Sequence, residues 1–68
     1  MDTIEIRFNG EPKQVRSSTV GQLLEEFDLH GKKVAVELNR EIVSRTSYQS
    51  TSLQAGDAVE IVHFVGGG

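Results

Sequence analysis

The sequence contains no cysteine and no tryptophan, and only one proline, Pro12. Without cysteine there is no disulfide framework and no thiolate metal site. Any sulfur this protein handled would have to ride on something other than a side-chain thiol. An excess of positive charge is also missing. Ten acidic residues oppose seven basic ones, for a net charge of −3. A nucleic-acid footprint needs a basic patch, and here only Lys32 and Lys33 stand together. No apolar run approaches the roughly 18 residues of a membrane span. The opening Met1-Asp2-Thr3 lacks the basic-then-apolar order of a secretory signal. These absences exclude nucleic-acid and membrane partners and predict a soluble, cytoplasmic protein. At 68 residues it has room for one domain.

What is present is well patterned. Thr3 to Phe8 alternates, with Ile4, Ile6 and Phe8 on one face and Thr3, Glu5 and Arg7 on the other. Period two with β-branched residues predicts a half-buried strand. Asn9-Gly10 follows, a hairpin signal, because both positions of the tightest turn need positive φ. The return strand runs from Glu11 to Arg16 and is anchored by Val15. Pro12 cannot donate to a ladder, which predicts an edge strand.

Ser17-Ser18-Thr19 then opens a helix, with Thr19 and Gln22 at capping-box spacing. Val20, Leu23, Leu24 and Phe27 form one apolar stripe, leaving Glu25, Glu26 and Asp28 as a solvated face. Gly31, beside His30, fits the helix end. Gly21 weakens the first turn and suggests close approach of helix to sheet.

Val34 to Leu38 predicts a third strand, Asn39-Arg40-Glu41 a turn and Ile42-Val43 a short fourth strand. Ser44 to Ser52 is polar and reads as irregular, with Tyr48 and Leu53 as anchors. After a turn at Ala55-Gly56-Asp57, Ala58 to Val65 makes the last strand. The order β-β-α-β-β-β predicts an α+β, β-grasp fold, with a mixed sheet and one packed helix. The first and last strands are the most apolar and should lie parallel at the sheet centre. The domain is expected to span residues 1–65, with 66–68 a flexible glycine tail.

The last strand breaks its own alternation. Val59 and Ile61 share the inner face. Val62 and Phe64 fall on the side of Glu60, where solvent is expected, together with Ala35 and Glu37 of the neighbouring strand. An apolar pair there predicts a docking patch. The alternative is that the 44–54 loop covers both residues and makes them core. His63 fits a packed or surface strand position, since no carboxylate or serine stands at a suggestive spacing. No His/Asp cluster has metal-ligand spacing, and no phosphate-loop glycine pattern occurs. A domain this small has little room for an enzyme-sized pocket. The reading is a carrier or protein substrate, not an enzyme.

Gly66-Gly67-Gly68 carries the specific chemistry. Three extended residues reach roughly 10 Å, and with no Cβ they pass through a narrow channel. Such a strip suits a terminal carboxylate threaded into a partner's active site. Small terminal residues with no role are the competing reading.

Together these residues resemble the ubiquitin-like sulfur carriers, and within them the thiamin-biosynthesis branch. The resemblance rests on the Asn9-Gly10 hairpin, Thr19-Val20 with Leu23-Leu24, Val34 to Asn39, Glu41-Ile42-Val43 with Arg45, Gly56-Asp57, and Val59 to Gly68. It implies that Gly68 is adenylated and becomes a thiocarboxylate, while Gly66 and Gly67 thread the tail. Val62, Phe64 and Val65 would dock partners. The implied partners are a ThiF-type adenylating enzyme, thiazole synthase (ThiG), and a sulfur donor such as a cysteine desulfurase or persulfide carrier. ATP and Mg would be used by the activating partner, and the chain itself would bind no cofactor or metal. One departure is Ser44, where many relatives have proline before the residue matching Arg45. Rival readings are a molybdopterin-synthase small subunit, a carrier for another sulfur pathway, a ubiquitin-like modifier, and an interaction module with an inert tail.

Overall fold

A computed structural model describes residues 2–64. The elements are β1 (Ile4–Phe8), β2 (Glu11–Val15), α1 (Val20–Glu26), β3 (Val34–Leu38), β4 (Glu41–Val43), a 3-10 helix (Arg45–Ser50) and β5 (Ala58–His63). They form one five-stranded sheet in the order β2-β1-β5-β3-β4. β1 and β5 are parallel neighbours at its centre, and the other pairings are antiparallel. This is the expected β-grasp arrangement, and Pro12 sits on an edge strand as its missing N–H requires.

The core follows the alternation. Ile6, Val15, Val36, Val59 and Ile61 from the sheet meet Val20, Leu23 and Leu24 of α1. Each such side chain contributes about 1.5–3 kcal/mol on burial. Phe8 and Phe27 close one end in an edge-to-face pair, with ring centroids 4.7 Å apart. Asn9 and Gly10 take φ of 50° and 86°, as their hairpin demands. Asn39 and Arg40 do the same between β3 and β4, at 52° and 72°, without a glycine.

Six local expectations are corrected. The helix ends before Gly31. Asp28, at φ 60°, takes the left-handed position, its N–H bonds to the Glu25 carbonyl, and Leu29 N–H bonds to the Leu24 carbonyl. That pair of bonds is the Schellman closure, and Gly31 serves the next turn. At the other end Thr19 Oγ1 accepts from Gln22 N–H at 3.1 Å. The return arm of the box, however, lands one residue early, on Ser18 N–H at 2.9 Å.

Glu26 is not merely solvated, because its carboxylate accepts from the Arg16 N–H and the Ser17 hydroxyl. It ties the helix end to the exit of β2. Gly21 makes room for something other than the sheet. A Cβ there would meet the end of the Gln49 side chain, which lies across it from the 3-10 helix.

The segment read as irregular is that 3-10 helix plus a short pairing with the helix entrance. Val20 N–H bonds to the Thr51 carbonyl and Leu53 N–H to the Ser18 carbonyl. Leu53 is buried and Tyr48 half-buried, so both anchor as expected. The segment therefore packs on α1 and leaves the outer face of the sheet uncovered. β5 ends at His63 rather than Val65. The expected domain limit at residue 65 and the tail at 66–68 lie outside the described residues.

Candidate docking face and tail approach

The backbone of β5 fixes which side chains face which way. Asn39 N–H donates to the Ala58 carbonyl and Phe64 N–H to the Lys33 carbonyl. Ala58, Glu60, Val62 and Phe64 thus turn their backbone groups toward β3. Their side chains fall on the face opposite the helix. Direct cross-strand pairs on that face are Glu37 with Glu60 and Ala35 with Val62.

Val62 is 57% exposed and Phe64 61% exposed. The reading of both as core is overturned, and the exposed apolar pair stands. Exposed large apolar side chains that lie together mark interaction surfaces. Ile42, 77% exposed, joins the same face from β4, opposite Glu37. Sequence reasoning missed it. The signal lay in register, since an Ile42 paired with Glu37 must share that residue's outward side. Glu37 and Glu60 face each other between Ile42 and Val62, so the patch carries two carboxylates in its middle.

Two polar side chains hold β5 in place beneath this patch. Asn39 Oδ1 accepts from Ala58 N–H at 2.9 Å, and its Nδ2 donates to Asp57 Oδ1 at 3.1 Å. Asn9 Oδ1 accepts from Ile61 N–H at 2.8 Å. The base of the tail approach is therefore anchored on both sides, while Phe64 continues the β3 ladder by one bond. Val65, Gly66, Gly67 and Gly68, named from sequence as tail and docking residues, lie outside the described residues.

Two clefts flank Leu29 on the helix side. One, of about 310 Å³, is lined by His30, Lys32, Arg45, Tyr48 and Gln49 among others. The second, of about 360 Å³, lies between Phe8, Phe27, Ile61 and His63. Among the described residues, no group of three His, Asp or Glu side chains could hold a metal ion. No described helix is long and apolar enough to cross a membrane.

Comparison with known proteins now bears on the reading. The ThiS family model matches residues 6–68. The chain is 42% identical over 66 residues to a thiazole synthase of Magnetococcus marinus, covering 96% of this chain and 20% of that protein. It is 44% identical over 52 residues to the sulfur carrier protein ThiS of Bacillus subtilis, covering 76% of this chain and 79% of that one. A crystal structure of a thiamine biosynthesis protein (ThiS) from Geobacter metallireducens superposes with a TM-score of 0.82 at 35% identity, covering 96% of this chain and all of the other. The chain thus spans about a fifth of the thiazole synthase it matches and most of the two ThiS proteins.

Proposed function

Because this chain belongs to the ThiS family, we propose that it is a sulfur carrier for thiamin biosynthesis, working on the carboxylate of Gly68. The observation that carries the proposal is the family match, which runs through the three glycines to Gly68.

The chemistry follows from the carboxylate. Its carbon is a poor electrophile, and the oxygen is a poor leaving group. Attack of the Gly68 carboxylate on the α-phosphate of ATP releases pyrophosphate and leaves an acyl adenylate. A persulfide sulfur then attacks the acyl carbon and expels AMP, forming an acyl disulfide. A thiol reductant cleaves the S–S bond and leaves the thiocarboxylate. That sulfur is a nucleophile held at the end of a protein, so it reaches the acceptor without release as sulfide.

ATP, Mg and the catalytic groups belong to a ThiF-type adenylating enzyme. The sulfur comes from a donor such as a cysteine desulfurase or persulfide carrier, and the acceptor is thiazole synthase. The chain acts as carrier rather than enzyme. Its own contributions are the acyl end, the Gly66-Gly67 strip that threads it, and a surface to grip.

Val62 and Phe64 supply that grip. Val62 sits on a strand clamped by Asn9 and Asn39, and Phe64 directly follows that strand, a few residues from the reacting end. Val65 follows them in sequence and is assigned to the same docking role. Rigid placement of the body converts docking into alignment of the tail, which is where the rate advantage of proximity arises.

The test is ATP–pyrophosphate exchange by a thiamin-pathway adenylating enzyme with the full chain and with a chain lacking Gly67 and Gly68. Exchange only with the full chain supports the reading. Equal exchange with the shortened chain would place the reacting group elsewhere.

A further inference from the structure

β5 outruns β1. Arg7 and Asn9 donate their N–H groups to the Asp57 and Val59 carbonyls, and the Asn9 side chain takes the Ile61 N–H. At that point β1 turns away into its hairpin. Odd-numbered residues of β5 face β1, so the Ile61 carbonyl and the His63 N–H and carbonyl point past its end. Bonds to β3 fall on the even-numbered residues of β5, so among the described residues no hydrogen bond reaches these groups.

Directly beside that stretch of backbone lies the 360 Å³ trough floored by Phe8, Phe27, Leu29 and Ile61. The hairpin tip bounds it below, and among the described residues Lys13 and His63 are the ionisable ones that line it. An open strand edge next to an apolar trough is the geometry that accepts an added strand. An added strand there would lie about 4.8 Å from β5, as a prolongation of β1.

We propose that this notch receives an extended segment of thiazole synthase, paired to β5 at Ile61 and His63. Alternate side chains of the segment enter the trough against the Phe8–Phe27 pair, and an acidic one meets Lys13. The choice of partner rests on the function proposed above. It is favoured by the thiazole synthase relative, in which a stretch similar to this chain is part of the same polypeptide. The occupant is peptide rather than small molecule because the unpartnered groups are backbone donor and acceptor in a line. The added strand lies on the far side of β5 from Lys33, so the Phe64 pairing to β3 is undisturbed.

Backbone recognition makes proline at position 63 the discriminating change. The bonds of β5 to β3 fall on its even-numbered residues, and no described hydrogen bond uses the His63 N–H, so His63→Pro removes none of the described bonds. Pro is tolerated on an open edge, and Val62 before it is already extended. His63→Ala keeps the N–H.

The experiment is titration of the isotope-labelled chain with thiazole synthase. It is read by amide hydrogen exchange and by the affinity of the wild type, His63→Pro and His63→Ala. The expected result is slowed exchange at the His63 amide in the complex and affinity reduced at least about tenfold in His63→Pro, the worth of a lost hydrogen bond plus a blocked lane. His63→Ala should stay within about threefold, because the backbone bonds remain. A complex that protects Val62 and Phe64 but leaves His63 exchange unchanged would overturn the notch and spare the carrier reading. That outcome is read from the wild type alone and does not depend on the proline variant folding. Failure to form any complex would overturn both.

Discussion

The side-chain oxygen of Asn9 accepts the backbone N–H of Ile61 at 2.8 Å, across 52 positions of sequence. Asn9 N–H also donates to the Val59 carbonyl at 2.9 Å. One turn residue thus closes the first hairpin and extends the central parallel ladder by a bond that β1 is too short to make. It holds the strand that leads to the proposed working end.

Asn9→Ala should therefore destabilise the fold by about 2–3 kcal/mol. The change strands the Ile61 N–H and forces alanine into a left-handed conformation. Asn9→Gly strands the same N–H but keeps the left-handed conformation without strain, so it should cost less, about 1–2 kcal/mol. Urea unfolding of the three proteins checks the order. Equal midpoints would mean that the side-chain bond contributes nothing.

Ser44 offers the opposite case. Its φ of −72° and ψ of 151° are those of a proline, and Val43 before it is extended. No described hydrogen bond uses its N–H. Ser44→Pro should raise stability by about 0.4–1 kcal/mol by narrowing the unfolded ensemble. The loss of its weak hydroxyl contact with Ser47, at 3.2 Å, offsets little of that. Thermal unfolding gives the answer, and a lowered midpoint would show that the N–H or the hydroxyl matters.

Much of this was legible beforehand because burial and alternation speak the same language. Ile6 and Val59 are buried where period two put them, and Val20, Leu23 and Leu24 where a helical stripe put them. The exposed pair Val62 and Phe64 was legible for the same reason, as a breach of that alternation. What escaped depends on partners distant in sequence. Nothing local to Asn9 announces Ile61, and nothing near Glu26 announces Ser17. The Gly31 expectation failed because Asp28 accepts the left-handed position that glycine usually fills. The Arg45–Ser50 turn has no apolar stripe of its own, and it forms because it lies against α1 and lets Gln49 cover Gly21.

Val62 and Phe64 separate docking from folding. Both are more than half exposed, so Val62→Ala and Phe64→Ala should each change stability by less than about 0.5 kcal/mol. Each should weaken binding to the adenylating enzyme or thiazole synthase, with Phe64→Ala costing about 1–2 kcal/mol as an aromatic anchor. Paired calorimetry of unfolding and of binding distinguishes the two. A large stability loss with unchanged affinity would contradict the docking face.

The most direct measurement is the intact mass of the chain, before and after incubation with a thiamin-pathway adenylating enzyme, ATP, a persulfide donor and a thiol reductant. The account predicts a gain equal to replacing one oxygen by sulfur, localised to Gly68 by fragmentation. An unchanged mass, with the same enzyme active on an established carrier, would contradict it.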